Sequence, residues 1–270
     1  MQRSTLPALS SPSKGGFPPS GAVVPVAPRV GRRPALLTPA ARKALRQRML
    51  LFRQASLDRL VQLTGVSDSD LKRYRRELAE SRVPEMLLQR GAGLPFTREL
   101  PQGALLYLIV RAQRPLRIVE TGVRPGYSTA WLLAGLEANG GGELVSLGPG
   151  PTRGRASGVN EVTVGQFVAP ALRSRWTLVL GNTEDRLDEI VAGGQVDLFF
   201  YDNGPDTTRA RYELRAAWPA LSERGLLLAH HVDANSAWGE FCRQQGLPTQ
   251  ILDAGPPPLG GLSVRGPRAG

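Results

Sequence analysis

"RIVETGVRPGYSTAWLLAGL", residues 117–136, decides how this chain folds. Residues 117–120 suit a buried strand, glycines at 122 and 126 form a tight turn, and a helical pattern follows over 128–138. A strand, a glycine turn and a helix in that order open a parallel β-α-β unit. Working outward from it, the alternation repeats. Further strand candidates stand at 143–147, 176–180, 196–201, 225–230, 249–252 and 262–265, with helical stretches at 183–193, 207–221 and 236–245. Apolar strands that alternate with helices predict a doubly wound α/β sheet covered on both faces. Segment 149–171 is weak in regular signals.

Upstream, "PQGALLYLIVRAQRP" predicts a helix that opens at Pro101 and stops before Pro115. Thr38 as N-cap and Pro39 at the first helical position open another, which runs as one piece to Gly65. Ser67 and Asp70 then resemble a capping box for a second helix. Residues 1–38, rich in Pro, Ser and Gly, cannot bury enough surface to offset their ordering entropy and are expected to be disordered. The expected organisation is a tail over 1–38, a basic helical cap or lid over 39–95, and an α/β domain over 96–270.

The net charge of +11 is confined to one part of the chain. Residues 1–90 hold 17 of the 34 Lys and Arg but only 6 of the 23 Asp and Glu, so residues 91–270 are neutral. The basic helices carry apolar stripes and no aromatic platform. A solvated face is therefore the expected use of their charge, and nucleic-acid binding through this basic region is the lesser alternative. Cys242 is the only cysteine, which excludes internal disulfides and Cys-rich zinc sites. No run of eighteen apolar residues is free of charge or proline, so no membrane span is expected, and a cytoplasmic location is the simplest expectation.

In an open α/β sheet, ligands sit beyond the carboxyl ends of the strands. The residues there are Glu120 and its glycine turn, Asp202 after the fourth strand, and the only two histidines, His230 and His231, after the fifth. The turn spacing, E-x-G-x-x-x-G, is not that of dinucleotide binders.

"IVETGVRPGYSTAWLLAGLEANGGGELVSL" resembles the first motif of class I S-adenosylmethionine-dependent methyltransferases, most closely the bacterial small-molecule group known as methyltransferase domain 24. "APALRSRWTLVLGNTEDRL", "VDLFFYDNGPDTTRARYELRAAWPALSERGLLLAHHV" and "NSAWGEFCRQQG" follow that group in order, so the resemblance spans roughly residues 100–265. It implies a Rossmann-like seven-stranded sheet whose last strand is antiparallel. It further implies S-adenosylmethionine as cofactor and methyl transfer to a small metabolite or saccharide, through a hydroxyl. Glu120, Thr121, Gly122, Gly126, Tyr127 and Ser128 would surround the cofactor's methionine part, Asn182 and Thr183 would lie near the adenine, and Asp202 would face the methyl group and the acceptor. Helices ahead of the first strand would form part of the acceptor pocket or a homodimer contact.

Three strand ends depart from the family. Gly148 stands where relatives carry an acid for the ribose hydroxyls; Gly204-Pro205 replaces an Asp-His pair; and His230-His231 replaces two acids. Two readings stay open: an active enzyme with a re-tuned site, or a catalytically inactive binding protein on the same fold. For the histidines, the alternatives are a general base paired with Asp202, a metal set of Asp202, His230 and His231, or plain packing at the rim. A divalent metal is not expected. Adjacent strand residues point to opposite faces, so both rings reach one ion only if the chain bends after His230.

Overall fold

The structure, a computed structural model, describes residues 38–89, 94–148, 164–234, 236–253 and 259–263. The expected tail therefore lies outside the described residues, as does most of segment 149–171. The helices and strands run α1 (Pro39–Met49), α2 (Gln54–Thr64), α3 (Asp68–Glu80), α4 (Val83–Gln89), α5 (Leu94–Gln113), β1 (Arg117–Thr121), α6 (Tyr127–Asn139), β2 (Glu143–Gly148), β3 (Trp176–Leu180), α7 (Thr183–Ala192), β4 (Val196–Tyr201), α8 (Thr207–Ala217), β5 (Leu221–Ala229), α9 (Ala237–Gln244), β6 (Gln250–Leu252) and β7 (Leu259–Ser263).

The strands form one seven-stranded sheet in the order β3-β2-β1-β4-β5-β7-β6. The pairs from β3 through β5 are parallel, and β7 runs antiparallel to both neighbours. This is the expected α/β sheet with its antiparallel last strand. All five residues of β1 are buried, because the strand is central and covered on both faces. Its alternate side chains divide between two cores. Ile118 joins Leu108, Trp131 and the helices α1 to α3 on one face; Val119 joins Phe199, Leu214 and Trp238 on the other.

Two expectations about helices are corrected. The single helix from Thr38 to Gly65 is two, broken at residues 50–53. Its start is as read, with Thr38 Oγ1 accepting the Ala41 N–H at 3.2 Å. An unbroken helix of that length would extend ~39 Å at 1.5 Å per residue. The break instead lets α2 turn onto β6, where Ser56 Oγ donates to the Asp253 carbonyl at 2.8 Å and Arg53 pairs with its carboxylate at 2.7 Å. The second correction concerns α5, which begins at Leu94 and runs through Pro101. A boundary at residues 95/96 therefore cuts a helix. Leu100 and Ala104 on either side of the proline are fully buried, and their packing offsets the lost backbone bond.

Two glycines near the chain's end serve close packing. A Cβ on Gly260 would enter the Trp238 indole, and one on Gly261 would press on Leu63. Both let β7 lie between α9 and α2. Among the described residues, no helix is long and apolar enough to cross a membrane.

Candidate active site

A cavity of about 250 Å³ opens where the α5 helix meets the carboxyl ends of β1, β4 and β5. Glu99, Gln102, Gly103 and Leu106 line it from α5, Val123 to Ser128 (Gly126 apart) from the glycine turn, Phe200 and Asp202 from β4 and its end, His230 from the end of β5, and Leu259 from β7. The His230 N–H donates to the Tyr201 carbonyl at 2.8 Å, which extends the β4–β5 ladder one residue and fixes the imidazole over the cavity. His230 Nδ1 lies 2.6 Å from Asp202 Oδ1, and Nε2 lies 3.3 Å from Gln102 Oε1. A carboxylate only accepts, so the Nδ1–H is turned to Asp202 and Nε2 is left on the Gln102 side.

Of the residues singled out from the sequence, Asp202, His230, Tyr127 and Ser128 meet at this cavity. Glu120 does not reach it. Its carboxylate is fully buried and accepts bonds from Ser128 Oγ (2.5 Å), Thr129 Oγ1 (2.7 Å) and Ser146 Oγ (2.7 Å). Thr121, one residue on, faces the other side of the sheet and donates to Glu213. Asn203 Nδ2 donates to that same carboxylate at 2.7 Å and to Thr183 Oγ1 at 3.0 Å, so Thr183 belongs to this second buried network. Asn182 is exposed, caps α7 and donates to Asp185. Neither Asn182 nor Thr183 lines the cavity.

Gly122 and Gly126 have φ of +91° and +87°, which favours glycine. The space each leaves is taken by the chain itself. A Cβ on Gly122 would fall on the Asp202 carbonyl, and one on Gly126 would lie 3.0 Å from Gly165. Their N–H groups donate to the Leu147 and Val123 carbonyls, and Gly165 and Phe167 donate to the carbonyls of Arg124 and Pro125. The turn thus holds the β4 end and residues 165–167 in place; its glycine N–H groups do not point into the cavity.

Burial pushes the Glu120 carboxyl up to about 7, against the pull of the three hydroxyls. In the unfolded chain the same group titrates near 4.5. Between these values only the folded state holds the proton, so Glu120 adds stability below pH 4.5 that is lost as pH rises through 7. We predict that Glu120→Gln flattens the fall in melting temperature between pH 5 and 8. At most roughly 3 kcal/mol is involved. An unchanged pH profile in Glu120→Gln would overturn the assignment.

His231 has a left-handed backbone, φ +56°, uncommon outside glycine. This is the bend that a shared ion requires: the two imidazole centres are 4.4 Å apart, and ligand atoms of Asp202, His230 and His231 all lie within 4.8 Å of one another. The geometric objection to a metal set is therefore removed. In the arrangement described, His230 Nδ1 and Asp202 Oδ1 are bonded to each other, and a cation would have to displace that bond. Burial, with His230 alongside, lowers the His231 pKa.

Sequence reasoning missed Glu99 and Gln102. Both sit on the first half of α5, which the Pro101 helix start left outside or at the very edge of the expected element.

Residues 119–232 match a family described as a methyltransferase domain. That match agrees with the resemblance read from the sequence, and the chain is built on the class I methyltransferase fold. The fold is shared with an SAH-bound methyltransferase of Podospora anserina, 16% identical, covering 78% of this chain and 96% of that one at a TM-score of 0.50. Other similar structures are an O-methyltransferase of Klebsiella pneumoniae described as putative (20% identity, 76% and 93% coverage, TM-score 0.47) and a methyltransferase of Geobacter sulfurreducens (18%, 82% and 100%, 0.47). No curated protein matches the sequence.

The fold family implies S-adenosylmethionine, and the residues present fit its two ends differently. At the sulfonium end, Asp202 sets a carboxylate on the cavity wall beside the glycine turn. At the ribose end, Gly148 offers no acceptor, and a Cβ there would lie 3.2–3.4 Å from Val164, Leu180 and Leu178, an apolar setting.

Proposed function

We propose that this chain is an S-adenosylmethionine-dependent methyltransferase that methylates a hydroxyl group on a small molecule, with His230 as the general base. One observation carries the reading: an imidazole, oriented by a carboxylate 2.6 Å away, opens into a cavity bounded by the glycine turn. The cofactor, when bound, supplies an electrophilic methyl group. The chain's own residues handle the proton. Asp202 accepts the Nδ1–H and so leaves the Nε2 lone pair facing the cavity, where it takes the proton of the acceptor hydroxyl. The resulting imidazolium has acceptors at both nitrogens, Asp202 Oδ1 and Gln102 Oε1. Leu106, Phe200 and Leu259 supply apolar walls that limit water.

Calorimetric titration of the chain with S-adenosylhomocysteine tests the proposal. Saturable heat below millimolar ligand is expected, and none at millimolar would remove its basis. A second reading, a non-catalytic binding protein, draws on the apolar surroundings of Gly148. It predicts that no hydroxyl acceptor is turned over even where the cofactor binds.

A further inference from the structure

We infer that Glu99 selects the methyl acceptor, and that this acceptor is a compact molecule carrying a cationic amine beside the hydroxyl to be methylated. The inference rests on the methyl-transfer reading of the same cavity. Glu99 lies three residues before Gln102 on α5, so the two share a helix face, and both line the cavity. Gln102 is the residue that His230 Nε2 faces. A hydroxyl placed for proton transfer at Nε2 therefore has its neighbouring groups within the field of Glu99.

Glu99 differs from the other enclosed acids of the chain. Glu120 is satisfied by three hydroxyls, Glu213 by Thr121 and Asn203, Glu77 by Arg111, and Asp202 by His230. Among the described residues, Glu99 has no hydrogen bond or ion pair, although it is half-buried. Burial raises its pKa, His230 lowers it and Asp202 raises it, which places all three groups in one electrostatic neighbourhood. A partly desolvated carboxylate without a counter-ion is costly to keep, and a cation brought by the ligand offsets that cost.

The cavity's own cation does not fill this role. Arg124 lines the cavity from the glycine turn, its guanidinium against Gly204, and the charges that act on Glu99 are those of His230 and Asp202. The α5 side of the cavity thus carries the Glu99 carboxylate, and the cavity's arginine belongs to the turn. A ligand amine next to the reacting hydroxyl meets that carboxylate. The cavity, about 250 Å³ with apolar walls from Leu106 and Phe200, lies below the roughly 300–1,000 Å³ of drug-sized sites, which sets the compact size.

2-(Aminomethyl)phenol and 2-ethylphenol share a ring, a hydroxyl and an ortho substituent of the same size, and differ in that an ammonium replaces the terminal methyl. With the full chain and S-adenosylhomocysteine present, ligand-observed NMR titration is expected to show 2-(aminomethyl)phenol bound about tenfold more tightly. Glu99→Gln, which keeps the shape and removes the charge, should bring the two affinities together and leave the S-adenosylhomocysteine titration unchanged. Equal binding of the probes to the unaltered chain, or no 2-(aminomethyl)phenol binding at millimolar concentration, would overturn the inference. So would a Glu99→Gln chain that loses S-adenosylhomocysteine affinity, since Glu99 would then serve the cofactor. Absence of S-adenosylhomocysteine heat from the unaltered chain is a separate failure, of the methyl-transfer reading itself, and takes the acceptor assignment with it.

Discussion

His230→Asn should lower methyl transfer by about 10²- to 10⁴-fold, the range that a positioned acid–base group contributes. The rate is to be measured on any hydroxyl acceptor that the unaltered chain turns over. S-adenosylhomocysteine affinity should not change, because the imidazole reaches the cavity from the β5 side, opposite the buried Glu120 network. Asparagine keeps a polar group beside Asp202 but has no basic nitrogen to take the proton. Asp202→Asn should act in the same direction, since the ring would lose the acceptor that fixes its tautomer. If His230→Asn stayed within a few-fold of the original rate, His230 would be a rim residue and the base would lie elsewhere.

Gly122→Ala should lose roughly 2–5 kcal/mol of stability. Two costs combine: the left-handed backbone, about 1–2 kcal/mol for a residue with a Cβ, and overpacking, typically 1–3 kcal/mol. The second stands near the top of its range because the obstacle is backbone. The new methyl would fall on the Asp202 carbonyl and beside the Asn203 nitrogen, which cannot swing aside as a flexible side chain can. A fall in melting temperature of about 5–15 °C is expected. Gly141→Ala is the control, because a Cβ there meets nothing within 4 Å, and it should be nearly neutral. Equal melting temperatures for the two variants would show that the turn tolerates a Cβ. Because the displaced segment carries Asp202, Gly122→Ala should also disturb the His230 pair.

The strands were legible because central parallel strands are apolar on both faces. "VDLFFY" and "WTLVL" gave β4 and β3 to the residue. The start of β5 was hidden, since Ser222, Glu223 and Arg224 carry polar side chains at its outer end. β7 was placed three residues late because "LGGLS" lacks strand formers; its glycines serve Trp238 and Leu63 instead. At the site, Asp202 and His230 followed from the rule that ligands gather at strand ends. The period-two alternation of β1 sets Glu120 and Thr121 on opposite faces, so they cannot face one ligand together. The His231 bend was not legible, because no local residue preference announces a left-handed histidine. Glu99 gained its place only through the packing of α5 across the sheet's end.

The two buried networks at the end of β1 also govern how the sheet assembles. Glu120 finds its hydroxyls on one face, from α6 and β2, and Thr121 finds Glu213 on the other, from α8. A one-residue slip of β1 against its neighbours would exchange the faces. The Glu120 carboxyl would then leave its three hydroxyls for the side of Phe199, Leu187 and Leu214, where it meets the Glu213 carboxylate. Misaligned pairings of the central strand are thereby penalised on both sides at once, so the polar residues here act as a ratchet that admits one alignment during folding.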